Sequence, residues 1–282
     1  MALKTEVVDR VSTYPGRVKL TPISGGTATT YTMERADSPT VEGTKINKAL
    51  LDQKAYTLTS DVTLYVSTGG SDTTGQGTSD KPYQTVQKAI NELPKCLGGF
   101  EATIDVAAGT YNEAVVLKGL YGGKLNLGAP GKSVTLRGIT ATNCDNVHIY
   151  IPLVKRDSSS PADLIRAEYG SVVTIESAVI IHGESGPVSG LVAANGSLIS
   201  SGATIEIRGC QSPAVHASSG ARIAIGTISG TSANTSYAIR ATMGGVVSFS
   251  SQTLTASLGN STATGGRILT SGGTSLANAS VE

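Results

Sequence analysis

From Phe100 onward, the chain repeats a short pattern of apolar and polar positions. Four glycines, 26, 24 and 24 residues apart, mark the copies: Gly170, Gly196, Gly220 and Gly244. Each has a bulky aliphatic residue five positions before it, an alanine three before it, and Val or Ile three after it. Alternation with a period of two on both sides of a glycine is typical of two short strands joined by a turn. A degenerate fifth copy begins at Gly265.

Repeats of this length predict a solenoid in an all-β protein. A unit made of short strands cannot bury its own apolar face, so neighbouring units must stack. Strands in successive coils lie about 4.8 Å apart, so we expect roughly seven coils between Phe100 and Thr270, which form a rod of about 30 to 35 Å. Both ends of such a rod need a cover, because each exposes unpaired backbone and apolar side chains.

Residues 59–99 are predicted to cover one end. Residues 64–66 form a strand, and residues 82–93 form a helix with Pro82 in the first helical position and Asp80 or Ser79 as its N-cap. Four apolar residues lie on one face of this helix: Val86, Ala89, Ile90 and Leu93. We interpret this stripe as a lid on the core.

Residues 1–58 form a separate segment, so the predicted domains are 1–58, 59–99 and 100–282. The first segment carries alternating charges and prolines, and it is too small to be a robust domain alone. A short helix is expected over residues 44–53, with Ile46, Leu50 and Leu51 on one face. A partner surface is expected to receive that face.

Composition and charge exclude several functional classes. Lys and Arg number 22 against 21 Asp and Glu, a net charge of +1, whereas nucleic acid and anionic membranes are normally met by a clearly basic surface. No window of about 18 apolar residues occurs, and residues 1–10 are charged where a signal peptide would be apolar. We therefore expect no nucleic-acid partner, no membrane insertion and synthesis in the cytoplasm.

The supply of carboxylates argues against catalysis. Polysaccharide hydrolysis needs two carboxylates that flank one bond, and β-elimination needs a base and a cation. No Asp or Glu occurs from Arg208 to Val281. An upstream site would have to use carboxylates that are normally solvated surface residues, namely Asp105, Glu113, Asp145, Asp157 or Asp163. No catalytic residue is assigned.

Neither histidines nor cysteines form a metal-ligand pattern, so no metal and no cofactor are expected. The three histidines lie 34 residues apart, and the three cysteines are too distant for a zinc pair or a disulfide framework. We interpret the histidines as surface or turn residues and the cysteines as small buried apolar residues. The residues concerned are His148, His182, His216, Cys96, Cys144 and Cys210.

One column of outward-facing positions suggests a binding surface. The position between the two inward residues of each repeat holds Arg166, Val192, His216 and Arg240, so stacking brings basic groups onto one face. We interpret Arg166, His216 and Arg240 as contacts for an anionic or hydroxyl-rich cell-wall glycan. A solvated face or a subunit interface is the alternative, because isolated exposed charges seldom mark a site.

Two stretches resemble the pectate-lyase-like right-handed β-helix superfamily, as it occurs in phage tail spikes and tail fibres. Residues 64–72 and 80–90, LYVSTGGSD and DKPYQTVQKAI, are similar to its entry strand, polar loop and capping helix, and residues 104–116 are similar to its first coil. The resemblance implies a right-handed parallel β-helix over residues 64–270. It also implies a homotrimer.

Residues 8–22, 31–40 and 43–50 resemble the leader of tail-fibre proteins from phages of Gram-positive bacteria, which anchors the fibre to the tail or baseplate. The resemblance implies a virion protein: a tail fibre or receptor-binding protein that attaches through residues 1–58 and contacts host cell-surface glycan without catalysis. The alternatives are a glycan depolymerase and a purely architectural collar, baseplate or head decoration.

Overall fold

The computed structural model describes residues 18–22, 31–35, 57–156, 163–230, 237–254 and 260–270. The chain divides into two compact units, Met1–Ala55 and Tyr56–Glu282. In the first unit, strands β1 (Val18–Pro22) and β2 (Tyr31–Arg35) pair antiparallel. The helix expected over residues 44–53 lies outside the described residues.

The second unit is a parallel β-solenoid of about six turns, which confirms the all-β, right-handed parallel β-helix expected from the sequence. Its strands form three faces. The first face consists of β3 (Val62–Val66), β4 (Glu101–Val106), β7 (Lys124–Leu127), β10 (Val147–Ile149), β13 (Val172–Ile175), the first parts of β16 (Leu198–Cys210), β18 (Arg222–Ser229) and β20 (Val246–Thr253), and β22 (Arg267–Thr270).

The second face consists of β5 (Gly109–Thr110), β8 (Val134–Leu136), β11 (Leu153–Lys155), β14 (Val179–Gly186) and the later parts of β16, β18 and β20. The third face consists of β6 (Ala114–Lys118), β9 (Gly138–Thr142), β12 (Asp163–Glu168), β15 (Ser189–Ala193), β17 (Val215–Ala217), β19 (Ile239–Thr242) and β21 (Asn260–Ala263). Because β16 takes part in both the first and the second face, these two faces form one continuous sheet.

Parallel register places equivalent residues of successive turns directly beside one another. On the first face, Val173 pairs with Ile199, Ile199 with Ile223, and Ile223 with Val247. These four side chains are at most 1% exposed. They are the aliphatic residues that follow the repeat glycines, so the repeat in the sequence is the inward column of the solenoid core.

The repeat glycines lie at the corner between the third and first faces. Gly170 and Gly196 have φ of 74° and 73°, and the residues before them, Tyr169 and Asn195, also have positive φ. The Gly170 N–H donates to the Asn195 carbonyl at 3.0 Å, so adjacent corners are hydrogen-bonded to each other. Consecutive left-handed residues make the corner tight, and glycine adopts this conformation without the steric penalty of a Cβ atom.

Helix α1 (Val86–Glu92) contacts β3, β4 and β6 at the start of the solenoid. The predicted apolar stripe is confirmed, since Val86, Ala89 and Ile90 are fully buried. The predicted start at Pro82 is wrong: Thr85 is the N-cap, and its side chain accepts from the Lys88 N–H.

The late start of α1 has a physical cause. The Tyr83 N–H donates to the Tyr65 carbonyl and the Ser67 N–H donates to the Tyr83 carbonyl, both at 2.9 Å. Tyr83 is therefore held against β3 in a parallel bridge, and the chain is free to turn into a helix only after this pairing ends.

The inward column predicts a strong and specific loss of stability on truncation. Replacing Ile223 by Ala should lower the free energy of unfolding by about 2 to 5 kcal/mol, because it removes buried methyl groups between two packed turns. The neighbouring Arg222 is exposed, and Arg222→Ala should change the same quantity by less than about 0.5 kcal/mol. Denaturant unfolding followed by circular dichroism measures both, and equal losses would contradict the assignment of inward and outward positions.

Candidate functional site

The outward column predicted from the repeats is assembled on the third face. Arg166 pairs with Val192, Val192 with His216, and His216 with Arg240 in consecutive parallel strands. With about 4.8 Å between neighbouring strands, the column from Arg166 to Arg240 extends over about 14 Å. The side chains differ strongly in their electrostatic state.

Arg166 is neutralised by its own strand. Its guanidinium donates to the Asp163 carboxylate and, at 2.9 Å through Nε, to the Glu168 carboxylate. Both acids are largely covered, with side-chain exposures of 15% and 19%. One cation thus faces two anions, so this end of the column offers no net positive charge.

The centre of the column is apolar and neutral. Val192 is only 4% exposed, although it occupies an outward position between Arg166 and His216. Burial lowers the pKa of His216, the nearby Arg240 and Arg166 charges lower it further, and Asp163 opposes them. The imidazole Nε2 lies 3.2 Å from the Thr242 hydroxyl. His216 is therefore a neutral hydrogen-bonding group at pH 7.

Arg240 is the cation of the column that forms no ion pair with a described carboxylate. Its guanidinium lies over the Tyr237 ring, 5.4 Å from the centroid, and its Nε atom is buried without a hydrogen-bond partner. The acid-free sequence from Arg208 to Val281 explains why no carboxylate of its own turn or the turns beside it pairs with Arg240. A guanidinium held over an aromatic ring offers N–H donors, which suit both the hydroxyl groups and the anionic groups of a ligand.

The carboxylates considered for catalysis hold the fold together. Glu113 accepts from the Val86 and Gln87 N–H groups at 2.7 and 2.9 Å, at the start of α1. Burial raises the pKa of Glu113, and these two hydrogen bonds oppose the shift. Asp105 pairs with Lys132, and Asp145 accepts from the Gly122 N–H at 3.1 Å.

The remaining two candidate carboxylates are Asp163 and Asp157. Asp163 is the partner of Arg166, and Asp157 lies outside the described residues. The structure therefore gives each described candidate a structural contact and does not bring them together around one open cleft.

The role of Asp72 was not predicted from the sequence. Its Oδ1 accepts from the Gln84 and Thr85 N–H groups at 2.8 and 3.0 Å, and its Oδ2 accepts from the Thr85 hydroxyl at 2.7 Å. The polar loop is thereby tied to the start of α1. The spacing of 13 residues between Asp72 and Thr85 carries no local capping signal, so only the folded loop reveals it.

The histidines and cysteines do not converge. His148 pairs with Glu176, and His182 lies 3.5 Å from Glu184. Cys144 and Cys210 are buried, and burial raises the pKa of Cys210 to about 12, but Cys96 is partly exposed, contrary to expectation. Within the described ranges, no three His, Cys, Asp or Glu side chains lie close enough together to hold a metal ion.

A pocket of about 550 Å³ was not foreseen from the sequence. It lies beside the second face, and its lining includes Tyr111, Asn112, Arg137, Lys155, Arg156 and Glu184. The strands that position these residues have only two to eight residues and are separated by turns of unequal length. Alignment of the repeats on glycine therefore could not place them side by side.

No family model, curated protein or solved structure matches the chain. No helix in the described part of the chain has the length and apolar character needed to cross a membrane. The class of protein is accordingly defined by its own geometry, as a parallel β-solenoid that carries a column of outward side chains and a separate pocket.

The loop contacts of Asp72 predict that it stabilises the cap. Asp72→Ala should lower the free energy of unfolding by about 1 to 3 kcal/mol, because two backbone N–H groups and one hydroxyl lose a charged acceptor. Asp80 is exposed, and Asp80→Ala serves as the matched control with a change below about 0.5 kcal/mol. Chemical denaturation compares the two variants, and indistinguishable midpoints would refute the capping role.

The lowered pKa of His216 predicts a loss of stability in acid. The unfolded chain binds a proton near pH 6.5, whereas the folded chain resists protonation of His216. The contribution is therefore complete above pH 6.5 and is lost as the pH falls from there through the folded pKa. His216→Asn should show a smaller drop in unfolding free energy between neutral and mildly acidic pH than the unmodified protein. An NMR titration that gave His216 a pKa at or above 6.5 would contradict this.

Proposed function

We propose that this protein is a phage tail-fibre or receptor-binding protein that contacts host cell-surface glycan without catalysis. The observation that carries the proposal is the register-aligned outward column of Arg166, Val192, His216 and Arg240 on a solenoid. A linear polymer that runs along such a column can meet Arg166, His216 and Arg240, with the buried Val192 between the first two. The resemblance of residues 64–116 to phage β-helix proteins supports the same assignment.

The chemistry of the column suits hydroxyl groups at Arg166 and His216 and leaves one cation, Arg240, for an anionic group. Asp163 and Glu168 offset the charge of Arg166, and His216 is neutral. Neutral imidazole and guanidinium N–H groups donate to hydroxyl oxygens, while the two carboxylates and the imidazole accept from hydroxyl groups. Arg240 over Tyr237 adds a planar surface next to these groups. Both ligand types expected from the sequence therefore fit the column, with hydroxyl groups along Arg166 and His216 and an anionic group at Arg240.

The contacts of the carboxylates favour binding over hydrolysis. A glycosidase needs one carboxyl group to protonate the leaving oxygen and a second to act as base or nucleophile. Glu113, Asp145 and Asp163 are each occupied by hydrogen bonds or ion pairs within the fold. Proton transfer by Glu113 or Asp145 would disturb contacts between separate segments of the fold, and proton transfer by Asp163 would break its ion pair with Arg166.

In this proposal residues 1–58 attach the protein to other tail or baseplate proteins, and three chains associate into a homotrimer located in the virion tail. Individual hydroxyl contacts are weak, because each exchanges a hydrogen bond with water. Three chains in one fibre raise the effective concentration of binding sites, so weak contacts sum to firm adhesion.

A retention assay tests the proposal. Labelled full-length protein is incubated with bacterial cells and with isolated cell-wall polysaccharide, and both the retained protein and the polymer length are measured. We expect retention without shortening, and we expect Arg240→Ala to reduce retention about tenfold because it removes a charged hydrogen-bond donor. Arg222→Ala removes the same charge from an exposed position on the first face and should bind as the unmodified protein does.

The other outcomes are equally informative. Shortening of the polymer would make the protein a depolymerase. Failure to bind any cells or polysaccharide would favour an architectural part of the virion. Equal retention of the Arg240→Ala and unmodified proteins would show that the column is not part of the binding surface.

A further inference from the structure

The pocket beside the second face lies where four neighbouring parallel strands end. Strands β5, β8, β11 and β14 follow one another in the sheet. Residues at or near their carboxyl ends line the pocket: Asn112, Arg137, Arg156 and Glu184. Its volume of about 550 Å³ falls within the range of about 300 to 1,000 Å³ that is usual for small-ligand sites. The parallel topology has thus collected polar groups from four turns into one concave site.

Charged side chains dominate the described part of the pocket lining. Arg137, Lys155 and Arg156 are cations, and Glu184 is a carboxylate. The Lys155 Nζ atom lies 2.8 Å from Glu184 Oε1, so these two charges offset each other. Because of this hydrogen bond the pKa of Glu184 lies below its usual value. Arg156 is therefore the lining cation to consider for a ligand.

Arg156 is the residue on which the inference depends. Its backbone N–H donates to the His182 carbonyl at 2.9 Å, which fixes it beside β14. The Nε atom is buried without a hydrogen-bond partner, although the residue as a whole is partly exposed. No ion pair joins it to any carboxylate within the described ranges. A partly desolvated guanidinium is stabilised by an oxyanion, which accepts two parallel hydrogen bonds from it.

Neutral polar groups lie next to the arginines. Thr110 and Thr135 carry hydroxyl groups, and Asn112 carries an amide that both donates and accepts. Tyr111 is buried, with its hydroxyl donating to the Ala107 carbonyl at 2.9 Å, so its ring forms a fixed part of the wall. A ligand with one anionic group and several hydroxyl groups matches this combination.

We propose that this pocket binds the carboxylate or phosphate group of a hydroxylated acid, such as an acidic sugar or a polyol phosphate. The acid is either a free small molecule or one unit of a polymer. In the second case the inference deepens the proposed function and rests on it, since the pocket then holds the acidic unit of the glycan that the fibre contacts.

Calorimetric titration of the full-length protein tests the pocket. The probes are galacturonate, glycerol phosphate and uncharged galactose, together with polygalacturonate and poly(glycerol phosphate). We expect binding of the acids and no binding of galactose. Tighter binding per acidic unit of a polymer than of its monomer would identify the polymer as the source, and equal binding would identify the free acid.

Two substitutions should act in opposite directions. Arg156→Ala should weaken acid binding about tenfold, because a charge-assisted hydrogen bond is lost. Glu184→Gln should strengthen acid binding, because it removes the anion that competes for Lys155. Arg156→Lys keeps the charge and should give an intermediate affinity, which preserves the test if the alanine variant fails to fold. Arg222→Ala is the matched control for the loss of one arginine and should leave acid binding unchanged.

The results distinguish failure of the pocket proposal from failure of the proposed function. The proposal for the pocket would be overturned if galactose bound as tightly as galacturonate. It would also be overturned if Arg156→Ala and Arg222→Ala had the same affinity for the acids. Acid binding that depends on Arg156, in a protein that no cells retain, would support the pocket and overturn the adhesin. Retention by cells without any acid binding would support the proposed role in adhesion and overturn the proposed acid site.

Discussion

Parallel backbone pairing between successive turns is the constraint on which the rest of the structure depends. It fixes a separation of about 4.8 Å and a register in which each residue lies beside its equivalent in the next turn. Val173, Ile199 and Ile223 form one such row inside the core. Because a slip of one residue would turn every inward side chain outward, burial of this row and the hydrogen-bonded register stabilise each other.

The same register decides how chemistry is presented on the outside. An outward residue cannot move independently of its equivalents, so side chains appear as columns that run along the solenoid. Where a turn supplies its own acids, as Asp163 and Glu168 do for Arg166, the local charge is cancelled. Where the sequence contains no acid, as around Arg240, the charge persists. The electrostatic pattern of the column therefore follows from the composition of each turn.

Much of this architecture could be predicted from spacing alone, because a repeat that keeps its glycine in step also keeps its strands in step. The inward aliphatic row and the alignment of Arg166 with Arg240 were both predicted in this way. The start of α1 was not, because the pairing of Tyr83 with β3 involves residues distant in sequence and overrides the local signal of Pro82. The pocket was missed for the same physical reason: strands such as β5 and β8 have two and three residues, too few to reveal their register.

The two polar surfaces of the solenoid suit different kinds of ligand. A hydroxyl group that exchanges water for protein gains only about 0.5 to 1.5 kcal/mol per hydrogen bond, so binding of a neutral polymer needs many contacts over a long surface. An anion held by a guanidinium gains more from each contact, but only where water is partly excluded. The column presents Arg166, His216 and Arg240 on several turns, with the buried Val192 between the first two, whereas Arg156 brings a buried Nε atom to the wall of a pocket of about 550 Å³. The column therefore suits a ligand that makes several weak contacts, and the pocket suits a ligand that makes one strong contact.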